Sequence, residues 1–308
     1  MTELLVLLAH AVAVLLMPLA MVGIVNRTKA LWAGRKGPPL LQSWWDVWRL
    51  LHKRPVVSEV ATPLFRAGAW VVLVASLLAA LIAPLFGAVA PLQFSHDFIV
   101  FAYTLGLARL FLMLSAMDVG SSFEGMGAAR EASFTAFVEP ALFLLIGAAG
   151  VASGQTSFAG LIGQWHASAP AWLLAPVVLV LLVLLQAEAS RVPVDDPLTH
   201  LELTMVHEVM VLDHSGPELA AMQYGAAIKM SLYAGLIATL VNPINVSDHP
   251  LLAVLVSLGL MAAVAVVVGC IESLVARLRM RLVPPYLMGA SLLAAACLGV
   301  AGWLRGAA

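Results

Sequence analysis

Eight stretches of this chain run for 16 to 23 residues with almost no charge: Leu4–Val25, Ala67–Phe86, Phe98–Met117, Phe134–Ala152, Trp172–Ala187, Leu219–Val241, Leu251–Ser273 and Tyr286–Leu304. A helix needs roughly 20 apolar residues to cross a bilayer, so the pattern predicts eight membrane-spanning helices. The runs are continuous and lack the alternation of a membrane β-barrel. The expected fold is an all-α polytopic bundle, one integral membrane domain over residues 1–308. Composition supports this: 62% of residues are hydrophobic, 11% are charged and the mean hydropathy is +0.99. Soluble domains carry about 45–50% apolar and roughly 25% charged residues. In hydrocarbon, such a chain must satisfy its backbone within helices. The net charge of −1 leaves no footprint for nucleic acid. No internal repeat is visible, which argues against an inverted-repeat transporter. The first run lacks a basic leader and is too long for a signal peptide core, so it reads as the first span.

Lys and Arg set the expected orientation. Arg27, Lys29, Arg35, Lys36, Arg49, Lys53, Arg54, Arg66, Arg130, Arg191, Arg277, Arg279 and Arg281 fall in gaps on one side of the eight spans, and only Arg305 falls on the other. Arg109 and Lys229 lie within spans. The basic side is expected to be cytoplasmic, with both termini outward. Two cytoplasmic segments read as amphipathic helices. In the first, over residues 38–53, Leu40, Leu41, Trp44, Trp45, Trp48 and Leu51 recur at helical spacing with Gln42, Asp46, Arg49 and Lys53 between them. Such a helix either lies at the bilayer interface with its tryptophans at headgroup depth or docks on a soluble partner. The second covers Thr199–Leu212, after Pro193 and Pro197 and before Ser215-Gly216-Pro217.

Ionisable residues inside a membrane are costly and are functional candidates by default. Arg109, Glu139, Glu188 and Lys229 are the candidates here, and Pro140 after Glu139 removes a backbone donor from its helix. Each has a plainer reading: a buried Arg–Glu pair fixes helix packing, and Glu188 at a helix end reaches water. A cytoplasmic loop over residues 188–218 is dense in acids, with Glu188, Asp195, Asp196, Glu202, Glu208, Asp213 and Glu218 against Arg191 alone. Asp118, Glu124 and Glu131, with Arg130, fall on the same side. Crowded carboxylates raise one another's pKa, and a chain of them bridged by water is what a proton path requires. A solvated acidic loop is the alternative. His200, His207 and His214 are seven apart and lack metal-ligand spacing, so a proton relay or a plain hydrogen bond suits them better than a metal. Cys270 and Cys297 sit alone in apolar stretches and read as packing residues. No metal or cofactor site of this chain is expected.

Several separated motifs then agree on a family. Gly34-Arg35-Lys36-Gly37-Pro38, Gln42, Asp46 and Leu50-Leu51-His52-Lys53 form the first, followed by Leu64-Phe65-Arg66. Leu107-Ala108-Arg109-Leu110-Phe111, Asp118-Val119-Gly120-Ser121, Gly127-Ala128-Ala129-Arg130-Glu131 and Glu139-Pro140 follow in order. The last runs from Glu188 through Arg191-Val192-Pro193-Val194-Asp195-Asp196-Pro197, His200-Leu201-Glu202 and His207-Glu208 to Asp213-His214-Ser215-Gly216. Over essentially its whole length the chain resembles the complex I subunit 1 family, and within it the hydrogenase-4 component C and formate hydrogenlyase subunit 4 branch. The His207-Glu208 form of the loop favours that branch over the quinone-reducing one.

The resemblance implies a non-catalytic subunit of a multisubunit oxidoreductase in a bacterial or archaeal plasma membrane. Such a subunit docks iron–sulfur large and small subunits carrying [4Fe–4S] clusters, with or without a NiFe centre. It joins them to antiporter-like subunits that move protons or sodium ions. By the same resemblance, Glu139, Glu188, Glu202, Glu208, Glu131 and Asp118 would form a proton relay. Arg109, Arg130, His207 and Lys229 would support it, and Arg35, Asp46, Arg191, Asp195 and Asp196 would dock the peripheral arm. Two alternatives are a quinone-site subunit of an NADH:quinone oxidoreductase and a stand-alone secondary transporter.

Overall fold

The computed structural model describes residues 2–196 and 205–307. Eight helices are long and apolar enough to cross a membrane. The first, α1 (Thr2–Trp32), overruns its apolar core by two turns. A short α2 (Gln42–Leu51) follows outside the membrane span. Then come α3 (Pro63–Ile82), α4 (Asp97–Asp118) and α5 (Ser122–Ser153). Helices α6 (Phe158–Gly163) and α7 (Trp165–Ser168) are short, and a 3-10 turn at Ala171–Leu173 leads into α8 (Leu174–Glu188). The one-turn α9 (His207–Met210) precedes α10 (Gly216–Val241), α11 (Pro250–Leu274) and α12 (Val283–Ala307). An even number of spans puts both ends of the chain on one side of the membrane.

Proline and capping residues set several starts. Pro63, Pro217 and Pro250 stand in the first turns of α3, α10 and α11, where a missing N–H costs nothing. Thr62 Oγ1 accepts the Leu64 N–H ahead of α3. Gly154, at φ +68°, closes α5 in the left-handed region that glycine tolerates. Helix α10 is the axis of the bundle: 83% of its most apolar window is buried, against 28% for α12. It packs on α1, α3, α8 and α11, while α3 pairs with α4, α1 with α11, and α5 with α12.

The structure departs from the sequence reading at four places. Helix α5 begins at Ser122, three turns before the apolar run at Phe134, because its polar first turns stay helical beyond the hydrocarbon. The amphipathic helix is Gln42–Leu51, shorter than residues 38–53, since Pro38 and Pro39 hold the chain extended before it. Its apolar edge, Leu41, Trp45 and Trp48, is exposed on the outside of the bundle. The gap between α5 and α8 is not a bare exterior loop. Phe158, Leu161, Ile162 and Trp165 are buried, and the fully buried carboxylate of Asp97 accepts the Phe158 N–H, tying α6 to the start of α4. Of the helix expected over Thr199–Leu212, the described part holds only the single turn of α9, followed by a tight turn to His214. The expected helical residues before Met205, with His200 and Glu202, lie outside the described residues.

Candidate functional site

Four helices bring ionisable side chains to one point inside the bundle. Arg109 of α4 is 3% exposed and sits at the centre. Its Nε lies 3.4 Å from Glu131 Oε1 and its Nη1 donates to Glu139 Oε1 at 3.1 Å. Its Nη2 donates to Glu188 Oε1 of α8. Glu131 and Glu139 are eight residues apart on α5 and share a face two turns long. Lys229 of α10 places Nζ 4.0 Å from Glu188 Oε2. A guanidinium offers its donors in a fixed planar fork, which suits one cation holding three carboxylates from two helices. The balance is acidic: three carboxylates face two cations. Desolvating ions costs several kcal/mol each unless they are paired, so this hub needs all its partners.

Exposure is graded across the hub. The side chains of Glu188, Arg109 and Lys229 are 2%, 4% and 6% exposed, whereas Glu139 is 48% exposed. Glu139 reaches the outside of the bundle in a groove with Ile99, Tyr103, Gly106, Leu107 and Leu110 of α4. A carboxylate near mid-helix, on an apolar flank, is thus held from behind by a buried arginine.

Towards the basic side, a cavity of about 350 Å³ lies between α1, α2, the end of α8 and α10. Asn26, Asp46, Arg191, His207, Glu208 and Gln223 supply its polar lining. Burial pushes the His207 imidazole down to about 4, with the Lys229 and Arg191 charges adding to the effect, so it stays neutral at ordinary pH. Close packing fixes this loop: a Cβ on Gly127 of α5 would stand 2.4 Å from Val209 of α9. Arg130 donates to the Met205 carbonyl at 2.8 Å and holds the entry to the same turn.

The other predicted residues are dispersed. Asp118 lies nine residues beyond Arg109 on α4, about 13 Å along the axis, and accepts the Thr62 N–H and hydroxyl at 2.7 and 2.8 Å. Asp195 receives Arg277 at 2.8 Å and the N–H groups of His207 and Val206 at 2.9 and 3.3 Å. It closes the neck of the loop rather than facing outward. Burial raises its carboxyl from the usual range, against the pull of those donors and of Arg277. Arg191 turns towards Glu272, and Asp196 takes part in the same turn as Asp195. Arg35 is exposed, and Asp46 accepts from Gln42 at 2.9 Å and from Arg49. The acids of the loop therefore do not form one stack: Glu188 joins the hub, Asp195 pairs with Arg277 and Glu218 with Arg66.

The sequence reading passed over Glu272 and Tyr233, and it named Arg66, Glu218 and His214 without their partners. Glu272, inside the seventh run, has a fully buried side chain paired to Lys29 at 2.7 Å and to Arg191 at 3.4 Å. Arg66 pairs with buried Glu218 at 2.6 Å. His214 stacks on Phe65 with ring centroids 3.8 Å apart and shares a hydrogen bond with Ser115 at 3.0 Å. Burial pushes the His214 ring below its ordinary value. Tyr233, one turn beyond Lys229 on α10, is fully buried beside the hub. The signal for Tyr233 and Glu272 was present, since each is a polar group inside an apolar run, and Tyr233 shares the face of Lys229.

Comparison with known proteins bears on this arrangement. The NADH dehydrogenase family model matches residues 4–301, nearly the full chain. The chain belongs to the NADH dehydrogenase family. Its similarity to the hydrogenase-4 component C of Escherichia coli (strain K12) is 30% identity over 255 residues, covering 81% of this chain and 79% of that protein. Similarity to formate hydrogenlyase subunit 4 of the same organism is 27% over 273 residues, covering 85% and 87%. A chain in the structure of the membrane-bound sulfane sulfur reductase, an archaeal respiratory membrane complex, superposes with a TM-score of 0.80 at 19% identity, over 96% of this chain and 98% of that one. That likeness is one of fold.

Proposed function

We propose that this chain is the membrane-anchoring and energy-coupling subunit of a complex-I-like oxidoreductase of the group 4 hydrogenase type. It docks an iron–sulfur arm on its basic, cytoplasmic face and keeps both termini outward. Charge or proton displacement at the loop is handed through the hub to an antiporter-like neighbour that covers the α4–α5 flank. One observation carries this reading: Glu139 stands half-exposed on an apolar flank while its buried partner Arg109 binds Glu188 inside. An ionised carboxylate facing lipid is costly, so a polar neighbour on that flank completes the site. The cavity at His207 and Glu208 supports the other end of the route, since these loop residues line it together with Ala226 and Ala227 of α10, the helix that carries Lys229. The family membership and the named relatives support a place in such an assembly.

The [4Fe–4S] clusters, and any NiFe centre, belong to partner subunits in this reading, and electrons do not pass through this chain. A proton enters at the cavity, the Lys229–Glu188–Arg109 group takes up the change in charge, and Glu139 presents it to the neighbour. The test is Glu139→Gln and Glu208→Gln in the assembled complex, reconstituted in liposomes. The complex should assemble, and the ratio of ions moved to electrons transferred should collapse in both. A normal ratio in both variants removes the coupling role. Transport by the purified chain alone would instead favour a stand-alone transporter.

A further inference from the structure

The outer edge of α2 is apolar and uncovered. Leu41, Trp45 and Trp48 are exposed there, and no residue of α2 is buried. With Trp44, and with Leu16 and Ala20 of α1, they line a groove of about 450 Å³ that carries no charged or hydroxyl-bearing side chain. Two glycines fix α2 alongside α1. A Cβ on Gly23 of α1 would collide with the Leu40 carbonyl oxygen, so only glycine lets the chain before α2 press onto α1. Gly37, at φ +69°, packs on Ala30 and Arg27, and a Cβ there would stand 2.7 Å from Ala30 Cβ.

This placement sets the groove below a group of cations. Leu16, Ala20, Gly23 and Arg27 recur on one face of α1, and Arg27 stands about 16 Å beyond Leu16 along the helix axis. The Arg35 N–H donates to the Ala30 carbonyl at 2.8 Å, which folds Arg35 and Lys36 back towards Arg27. All three are exposed, and none pairs with a carboxylate among the described residues. Neighbouring cations are taken: Lys29 by Glu272, Arg49 by Asp46 and Arg66 by Glu218. Lys53 and Arg54 are also unpaired but lie past the far end of α2. A polar solute has nothing to bond in the groove, and a neutral apolar chain gives the three cations no partner. Tryptophans at an apolar boundary, with basic residues just beyond a span, suit an anionic lipid.

We propose that the groove between α1 and α2 binds one anionic phospholipid from the leaflet on the basic side. An acyl chain lies along Leu16, Ala20 and the α2 tryptophans, and Arg27, Arg35 and Lys36 hold the phosphate. Arg35 then meets lipid, where the family resemblance would have it dock a peripheral arm. The other edge of α2, at Ser43, Asp46 and Val47, walls the cavity of about 350 Å³ that His207 and Glu208 also line. The lipid therefore supports that wall from behind. The site stands apart from the coupling reading and does not depend on it.

The test is native mass spectrometry of the assembled complex, reconstituted in equal parts of phosphatidylglycerol and phosphatidylcholine and released in mild detergent. Wild type should retain phosphatidylglycerol in preference to phosphatidylcholine. The triple variant Arg27→Gln, Arg35→Gln, Lys36→Gln should retain one phosphatidylglycerol fewer, its occupancy down at least about tenfold. Ala20→Trp fills the groove and keeps the charges, and should lose the same lipid. The intact mass in each spectrum shows whether the complex has assembled. Lys53→Gln with Arg54→Gln removes two cations outside the site and should keep the lipid. Equal retention of both lipids by wild type, or unchanged retention in the triple variant, overturns the proposal. Loss of the same lipid in the Lys53 and Arg54 variant also overturns it, because the attraction is then one of general surface charge. A quinone that displaces phosphatidylglycerol from wild type, in competition, reassigns the groove to a neutral ligand and overturns it as well.

Discussion

Buried carboxylates occur in two settings in this molecule, and the difference lies in their balance. At the periphery of the basic side, four acids have donors of their own. Glu272 has Lys29 and Arg191, Asp195 has Arg277 and two amides, Glu218 has Arg66, and Asp118 has Thr62. In the hub, Glu131, Glu139 and Glu188 share Arg109 and Lys229, and one acid reaches the flank. Clamps that are matched one to one hold elements together. A group with more acids than cations cannot pair every carboxylate with a cation of its own, and that imbalance is what the proposed relay needs.

That contrast can be broken or sharpened by substitution. Arg109→Ala should have the largest effect, because it leaves three carboxylates facing one lysine in a dry interior. Losing one member of a buried ion pair costs about 3–5 kcal/mol, so the variant should fall out of the membrane fraction or unfold far earlier in detergent. Wild-type stability would mean that the hub acids are not charged together. Glu272→Ala removes a clamp whose cations keep some access to solvent, and should cost about 2 kcal/mol. Its ions-per-electron ratio should match wild type, and a collapsed ratio would erase the distinction between clamp and hub. Asp118→Asn keeps an acceptor for Thr62, so about 1 kcal/mol of stability is at stake and coupling should persist. Loss of coupling there would return Asp118 to the relay.

The smallest effect is in pH. His207 is half-buried and neutral, with its ring near 4, below the ordinary 6.5. Its contribution is therefore complete above about pH 6.5 and is lost as the pH falls through 6.5 towards 4, because the unfolded chain takes up the proton first. Between pH 7 and pH 6 the loss is about 0.7 kcal/mol. Unfolding in denaturant should show this slope in wild type and a flatter one in His207→Gln. Equal slopes would mean that the ring is not buried as described.

Much of this molecule was legible from one chain. Apolar run length found all eight spans, and the cost of charge in hydrocarbon picked out Arg109, Glu139, Glu188 and Lys229 before any contact was known. Glu131 was read among the crowded acids of the basic side and not inside a span, because the polar first turns of α5 read as loop. The roles of Asp118 and Asp195 were hidden for a different reason. Each is defined by a partner remote in sequence, at residues 62 and 277, and an acid near the membrane surface looks the same whether it caps a chain segment or carries protons. Tyr233 was missed because tyrosine in an apolar run reads as an interfacial anchor, and only its depth shows otherwise. Helices α6 and α7 escaped because Gly160, Gly163 and their shortness leave no helical period to see.

The hub joins side chains from four different helices. A helix that slid or turned against its neighbours would pull one member out of this group, and desolvated ions are costly without their partners. The contacts that pair the charges therefore also fix the register of α4, α5, α8 and α10 against one another.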